Sequence, residues 1–299
     1  MSLQKVTVRV PATTANIGPG FDSFGCALAL YNTITVALEG ETLCIEGCPE
    51  AYRGPDNLVA VAYRAAMQRM ELPCEDGLHI TIQAEIPVSR GLGSSAALLV
   101  AGALAANALH GNALDRRTLL EVCNTIEGHP DNLAPALYGG LTASMLESGK
   151  PYTVRYDVHP SLRFVAIIPD FELSTHRARG VLPKTVPYAD AVYNVSHAAV
   201  LLRAIADGDG ETIAAALRDR LHQPYRKDLI AHYEQAEAAA LELGALAYCI
   251  SGAGPTQLAL VNGNEEAFAY MLKEKLLRFA PGWQVLPLEV DPAGAQLVE

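Results

Sequence analysis

With 299 residues the chain is longer than a single core usually supports, and two units sharing a cleft are expected. Half of the residues are hydrophobic and 18% are charged, a balance that argues against extended disorder. A formal net charge of −11, from 22 Lys+Arg against 33 Asp+Glu, disfavours a broad surface for nucleic acid or anionic lipid and leaves only local basic sites.

Residues Met1–Lys5 lead directly into alternating Val6, Val8 and Val10, a strand pattern without the apolar run of a leader peptide. The glycine-rich stretch Pro11–Asp22 (PATTANIGPGFD) follows at the strand end, where loops often hold ligands. Asn16 and Asp22 there fit either ligand binding or Asx turns beside glycine. Thr33–Leu38 alternates as a second strand, and Gly47–Pro55 is turn-rich. Zinc at Cys44 and Cys48 would need two further ligands at suitable spacing, and the neighbouring sequence offers none. The six cysteines form no C-x-x-C pair, which fits reduced thiols in the cytosol. Asn57–Met70 has helical spacing, and His79–Ala84 alternates as a strand.

Pro87–Ala97 (PVSRGLGSSAA) links that strand to an alanine-rich helix expected over Ser94–His110. Glycines let backbone N–H groups approach an anion, and the helix start adds free donors and positive dipole character, so a polyphosphate fits there. Ser94 and Ser95 suit a helix N-cap or a nucleotide-borne metal. The plain alternative is a turn that only caps a helix. The chain has no G-x-x-x-x-G-K-[ST], and the loop lacks the third glycine of the dinucleotide fingerprint.

Glu127-Gly128-His129-Pro130-Asp131-Asn132 ends a further helix and concentrates polar groups in an apolar half. Glu127 suits Mg²⁺, which takes one carboxylate oxygen and fills its other positions with phosphate and water; Pro130 and Asp131 equally suit a helix stop and cap. Strands are expected at Leu141–Met145, Val154–Tyr156 and Phe164–Ile168, with a unit boundary near Asp157–Arg163. Helices follow over Asp190–Asp207, Glu211–Leu217 and Leu229–Leu243. Near them, Ser174–Arg179 and Asp219–Arg226 supply guanidinium groups suited to a carboxylate, or to plain solvation. Strands Ala247–Ile250 and Gln257–Val261 flank Ser251–Pro255, before helix Glu265–Arg278 and strand Gln284–Leu288. Strands and helices cluster instead of alternating evenly, an α+β layout. No apolar stretch is long enough to span a bilayer.

Together PATTANIGPGFD, GLGSSAA, EGHPDN and SGAGPT resemble, in order and over nearly the whole chain, the three-motif pattern of the GHMP kinases. EGHPDN, STHRARGVLP and HQPYR most resemble the branch that phosphorylates homoserine. The resemblance implies a GHMP kinase fold of class α+β, with a ribosomal protein S5 domain 2-like N-terminal nucleotide-binding domain over 1–158 and a ferredoxin-like C-terminal substrate domain over 159–299. It implies ATP and Mg²⁺, L-homoserine as the small-molecule acceptor in a step of threonine biosynthesis, a cytoplasmic setting and a homodimer.

By position, it implies nucleotide contacts from Asn57, Pro87, Arg90, Gly91, Leu92, Gly93, Ser94, Ser95, Ala96 and Ala97, and metal contacts from Ser95 and Glu127. Asn16, Asp22, Asn132, Arg179, Arg226 and Gly254 would bind substrate, with His129 and His197 as neighbours, and Asn132, Glu127 and Arg179 would serve catalysis. Other members of the superfamily use an aspartate base with a lysine, whereas Asn132 stands in the aspartate-like place and the first motif has no lysine. An amide is no useful proton acceptor at neutral pH, so direct in-line attack without a side-chain base is expected. A sister kinase for an isoprenoid-precursor alcohol and a non-catalytic ATP sensor are the competing readings.

Overall fold

The computed structural model describes residues 3–75 and 77–298. The first sheet is built from β1 (Lys5–Ala15), β2 (Phe24–Ala37), β3 (Cys44–Glu46), β4 (His79–Ala84), β5 (Leu141–Glu147) and β6 (Lys150–Tyr156). The second sheet takes β7 (Leu162–Ile168), β8 (Ala247–Ile250), β9 (Gln257–Asn262) and β10 (Gln284–Leu288), and a last strand, β11, spans Gln296–Val298. Helices α1 (Leu58–Arg69), α2 (Ser94–Leu109), α3 (Arg116–Glu127) and α4 (Leu133–Tyr138) belong with the first sheet. Helices α5 (Thr175–Gly180), α6 (Tyr188–Asp207), α7 (Gly210–Ala216), α8 (Gln223–Arg226) and α9 (Tyr233–Glu242) lie between β7 and β8, and α10 (Glu265–Leu276) between β9 and β10.

β2 is the spine of the first sheet. Its start pairs with β5, its end with β4, and its whole length with β1 across a register shift at Pro11/Ala12. Only its second half was expected, because Phe24–Leu28 is buried at every position and so shows no alternation. Against this sheet packs α2, whose Ala and Gly content permits close approach: a Cβ on Gly102 would stand 2.2 Å from the Val59 carbonyl oxygen of α1.

The second sheet has the order β10-β7-β9-β8, antiparallel throughout, which is the ferredoxin-like arrangement. Both of its faces are buried, and alternation sorts them. Phe164, Ala166, Cys249 and Leu258 face the core shared with the first sheet and with Leu201 and Ile205 of α6. Val165, Ile167, Ile250 and Ala259 face a second core with Ala236, Phe268, Leu272 and Trp283. The chain then returns. Val290 bridges Leu28 and β11 pairs with β1, so the last strand, which the sequence reading placed with the second unit, completes the first sheet. Three residues carry too little pattern to reveal this. Among the described residues no helix is long and apolar enough to cross a membrane.

Candidate active site

The loop after β4 and the start of α2 line one end of a cavity of about 510 Å³ between the two sheets. Gly93, in the left-handed region at φ 69°, is the N-cap of α2 and brings no side-chain cap. Ser94 and Ser95 therefore sit inside the first turn, not at the cap, and the first N–H groups of a sixteen-residue helix are left to an external acceptor. Gly91 (φ 78°) has a different constraint: a Cβ there would stand 2.4 Å from the Ser251 carbonyl oxygen and 2.8 Å from that of Gly254. The loop thus lies directly on the Ser251–Gly254 turn, and Ser251 Oγ donates to the Gly91 carbonyl at 2.6 Å. Arg90 spends its guanidinium on the second unit, donating to the carbonyls of Pro169 and Asp170 at 3.1 and 3.3 Å. Leu92, Ala96 and Ala97, expected at the nucleotide, are buried in the core beneath the loop.

The wall beside the loop comes from Cys48, Pro49, Tyr52, Ile82 and Val88, a mostly apolar slot. Asn57 borders it as the N-cap of α1. Its Oδ1 accepts from Val59 N at 3.0 Å and its Nδ2 donates to Tyr52 O at 2.8 Å, so its amide holds the wall in shape. Pro87 completes this side of the cavity.

On the opposite side, Ser95 Oγ donates to Glu127 Oε1 at 2.9 Å, joining the first turn of α2 to the last residue of α3. This hydroxyl–carboxylate pair offers the hard oxygen donors that Mg²⁺ prefers. Asn132 accepts a 2.8 Å hydrogen bond from Thr13 Oγ1 at its Oδ1, which leaves the Nδ2 protons as donors beside the cavity. Asp131, almost fully buried, accepts from the Asn132 backbone at 2.9 Å and lies 3.1 Å from His129 Nδ1. That hydrogen bond holds the His129 imidazole pKa above its ordinary value.

Part of the cavity wall is cationic. Arg226 is 1% exposed, and its guanidinium donates to the Ala178 and Gly252 carbonyls at 3.2 and 3.1 Å over the face of Phe21. Among the described residues no carboxylate lies within ion-pair distance of it. Burial, and next the neighbouring Arg179 charge, pull its pKa down to about 10. Arg179 is paired: its Nη2 and Nη1 donate to Asp22 Oδ1 and Oδ2 at 2.7 and 3.1 Å, which holds its own pKa up. Asp22 stands behind Arg179, off the cavity wall itself. Asn16 donates to Gly252 O at 3.0 Å and accepts from Asp22 N at 2.7 Å, fastening the first loop to the Gly252–Gly254 turn that also lines the cavity.

Three supporting residues escaped the sequence reading. Thr13 orients Asn132. Asp219, whose carboxylate is fully buried, accepts from the backbones of Leu221, His222 and Gln223 at 3.0, 2.9 and 2.7 Å, capping α8 and thereby placing Arg226. His222 donates from Nε2 to Gly18 O at 2.9 Å and stacks on Phe21; burial pulls its pKa down, so a neutral ring ties α8 to the first loop. The partners of Thr13 and His222 stand 119 and 204 positions away and leave no local signal, whereas Asp219 caps amides only two to four positions on. His197 is off the site, on α6, stacked on Tyr193 with centroids 3.6 Å apart.

The family model described as the GHMP kinases N terminal domain matches residues 57–140, and that described as GHMP kinases C terminal matches 201–276. The homoserine kinase of Clostridium beijerinckii is 42% identical over 98% of this chain and 99% of its own length. The crystal structure of homoserine kinase from Cytophaga hutchinsonii superposes with a TM-score of 0.89 at 29% identity, covering 99% of this chain and 98% of the other. Mevalonate kinase of L. major, solved with R-mevalonate, shares the fold at a TM-score of 0.74 and 16% identity, over 98% and 99% of the two chains.

Proposed function

The chain belongs to the GHMP kinases, in the homoserine kinase family, and from that premise we propose that it transfers the γ-phosphoryl group of ATP to the hydroxyl of L-homoserine, a step of threonine biosynthesis. One observation carries the choice of acceptor: a buried guanidinium, Arg226, borders the cavity and, among the described residues, has no carboxylate within ion-pair distance. A substrate carboxylate would supply the missing charge and accept from the guanidinium N–H groups not already given to Ala178 O and Gly252 O. Arg179, held in place by Asp22, lines the cavity as well, so an incoming amino acid can offer its carboxylate to both arginines.

In this reading the triphosphate lies against Gly91, Gly93, Ser94 and Ser95, with the free N–H groups of α2 meeting its oxygens. Ser95 and Glu127 would hold Mg²⁺, which would supply positive charge to the transferring phosphate. The Asn132 Nδ2 protons position the acceptor hydroxyl, and Gly254 gives it backbone contact. No side chain need remove the proton early, because charge in the loose transition state gathers on phosphate oxygens. The reading includes a cytosolic homodimer, and the absence of a C-x-x-C pair among the six cysteines of the sequence suits a reducing compartment.

ADP release from the full chain, measured with ATP, Mg²⁺ and a panel of amino acids and alcohols, tests it. Turnover with homoserine well above the rest supports the proposal. Preference for an isoprenoid-precursor alcohol replaces the acceptor, and ATP binding without acceptor-dependent turnover makes the protein a sensor.

A further inference from the structure

A second cluster of ligand-type side chains stands outside the cavity, on the parallel edge of the first sheet. β3 pairs with β4 so that Cys44 lies opposite His79, and Ile45 turns into the core, which puts Cys44 and Glu46 together on the outer face. One ligand atom from each of Cys44, Glu46 and His79 lies within 4.8 Å of the other two. A tetrahedral ion with bonds of about 2.0–2.3 Å holds its ligand atoms roughly 3.5 Å apart, a closure of about 1 Å that exposed rotamers can make.

The imidazole is oriented as a metal ligand is. Its Nδ1 sits 2.6 Å from Glu39 Oε1, the carboxylate–histidine contact that fixes the ring and aims the other nitrogen. That other nitrogen, Nε2, is shielded from solvent and finds no hydrogen-bond partner among the described residues, although Glu46 Oε2 is 3.5 Å away.

We propose that Cys44, Glu46 and His79 bind a zinc-class divalent ion, with Glu39 orienting the histidine and water in the fourth position. A thiolate, an imidazole and a carboxylate form a donor set suited to Zn²⁺ and foreign to Mg²⁺ or Ca²⁺. The ion would staple a three-residue edge strand whose described sheet partner is β4 alone. β3 runs straight into Gly47, Cys48 and Pro49 of the cavity wall, so the staple would also fix that wall.

The test uses the full-length chain, stripped of metal and kept reduced, with Co²⁺ as probe. One equivalent should give a thiolate-to-cobalt charge-transfer absorption that Zn²⁺ displaces. That absorption should vanish in Cys44→Ser, persist in Cys48→Ser and Cys74→Ser, and require roughly 10- to 100-fold more Co²⁺ in Glu39→Gln. Zn²⁺ should raise the melting temperature of the unsubstituted chain and leave that of Cys44→Ser unmoved. Absence of the band at saturating Co²⁺, or its survival in Cys44→Ser, overturns the proposal.

Discussion

Arg226 has had its solvent removed and, among the described residues, has no carboxylate in direct contact, an expensive arrangement that an anionic substrate relieves. Arg226→Gln keeps a donor near Gly252 and deletes the charge. It should lower kcat/KM for homoserine by roughly 30- to 1,000-fold, the cost of removing one partner of a buried charged contact, with the KM for ATP little changed. Steady-state kinetics with each substrate varied in turn decides the matter; an equal loss toward ATP would place Arg226 at the phosphates instead. His129 yields a pH prediction. Its folded pKa is raised, first by the Asp131 hydrogen bond, so its contribution to stability is fully present below the unfolded value of about 6.5 and is lost as pH rises through the folded value. Urea unfolding at a series of pH values should show unsubstituted chain and His129→Gln converging as pH climbs from 6. A pH-independent gap between them would mean that the ring does not titrate there.

At the scale of the element, the phosphate loop is held less by its own sequence than by the turn it lies on. Gly91→Ala forces a left-handed alanine, at about 1–2 kcal/mol, and also drives its Cβ into two carbonyl oxygens of Ser251 and Gly254. Gly111→Ala has a comparable φ of 87° and nothing within 4 Å, so it isolates the backbone cost at about 1–2 kcal/mol. Chemical denaturation and ADP release measured on both should show Gly91→Ala losing more stability than Gly111→Ala and, unlike it, at least tenfold in activity. The glycines of this loop were legible because an anion-binding turn leaves a compositional mark. The bounds of β4, β8 and β10 were equally legible, as short alternating or apolar runs between breakers. The first half of β2 was not, since burial on all sides erases alternation, nor were β3 and β11, each three residues long. Asp219 reads as an ordinary polar residue before a short helix, and Thr13 and His222 carry no mark until the fold brings Asn132 and Gly18 to them. His79 is the same case at the metal cluster: it stands 35 positions after Cys44 and directly opposite it.

Across the whole molecule, the two sheets do not have separate interiors. Phe164, Ala166, Cys249, Leu258 and Leu260 of the second sheet share one continuous core with Val8, Leu28, Leu99 and Leu137 of the first unit. The C-terminal return adds a second tie, in which Asp291 accepts from Tyr31 Oη at 2.8 Å and from the Gly294 backbone at 2.6 Å while β11 closes on β1. Chains of this length often unfold in stages when their units have independent cores. Here separation would expose the shared apolar surface on both sides, so unfolding should be one transition. The chain has a single tryptophan, Trp283, buried in the other core behind the second sheet, and its fluorescence reports that region alone. Its urea midpoint should coincide with the midpoint from far-UV circular dichroism, which averages over all helices and strands. Deleting residues 290–299 should lower both midpoints together, because the lost strand stabilises a core that both units use. If the fluorescence of Trp283 changes first, the second sheet comes apart alone and the active-site cleft is a joint between independent bodies, contrary to the packing.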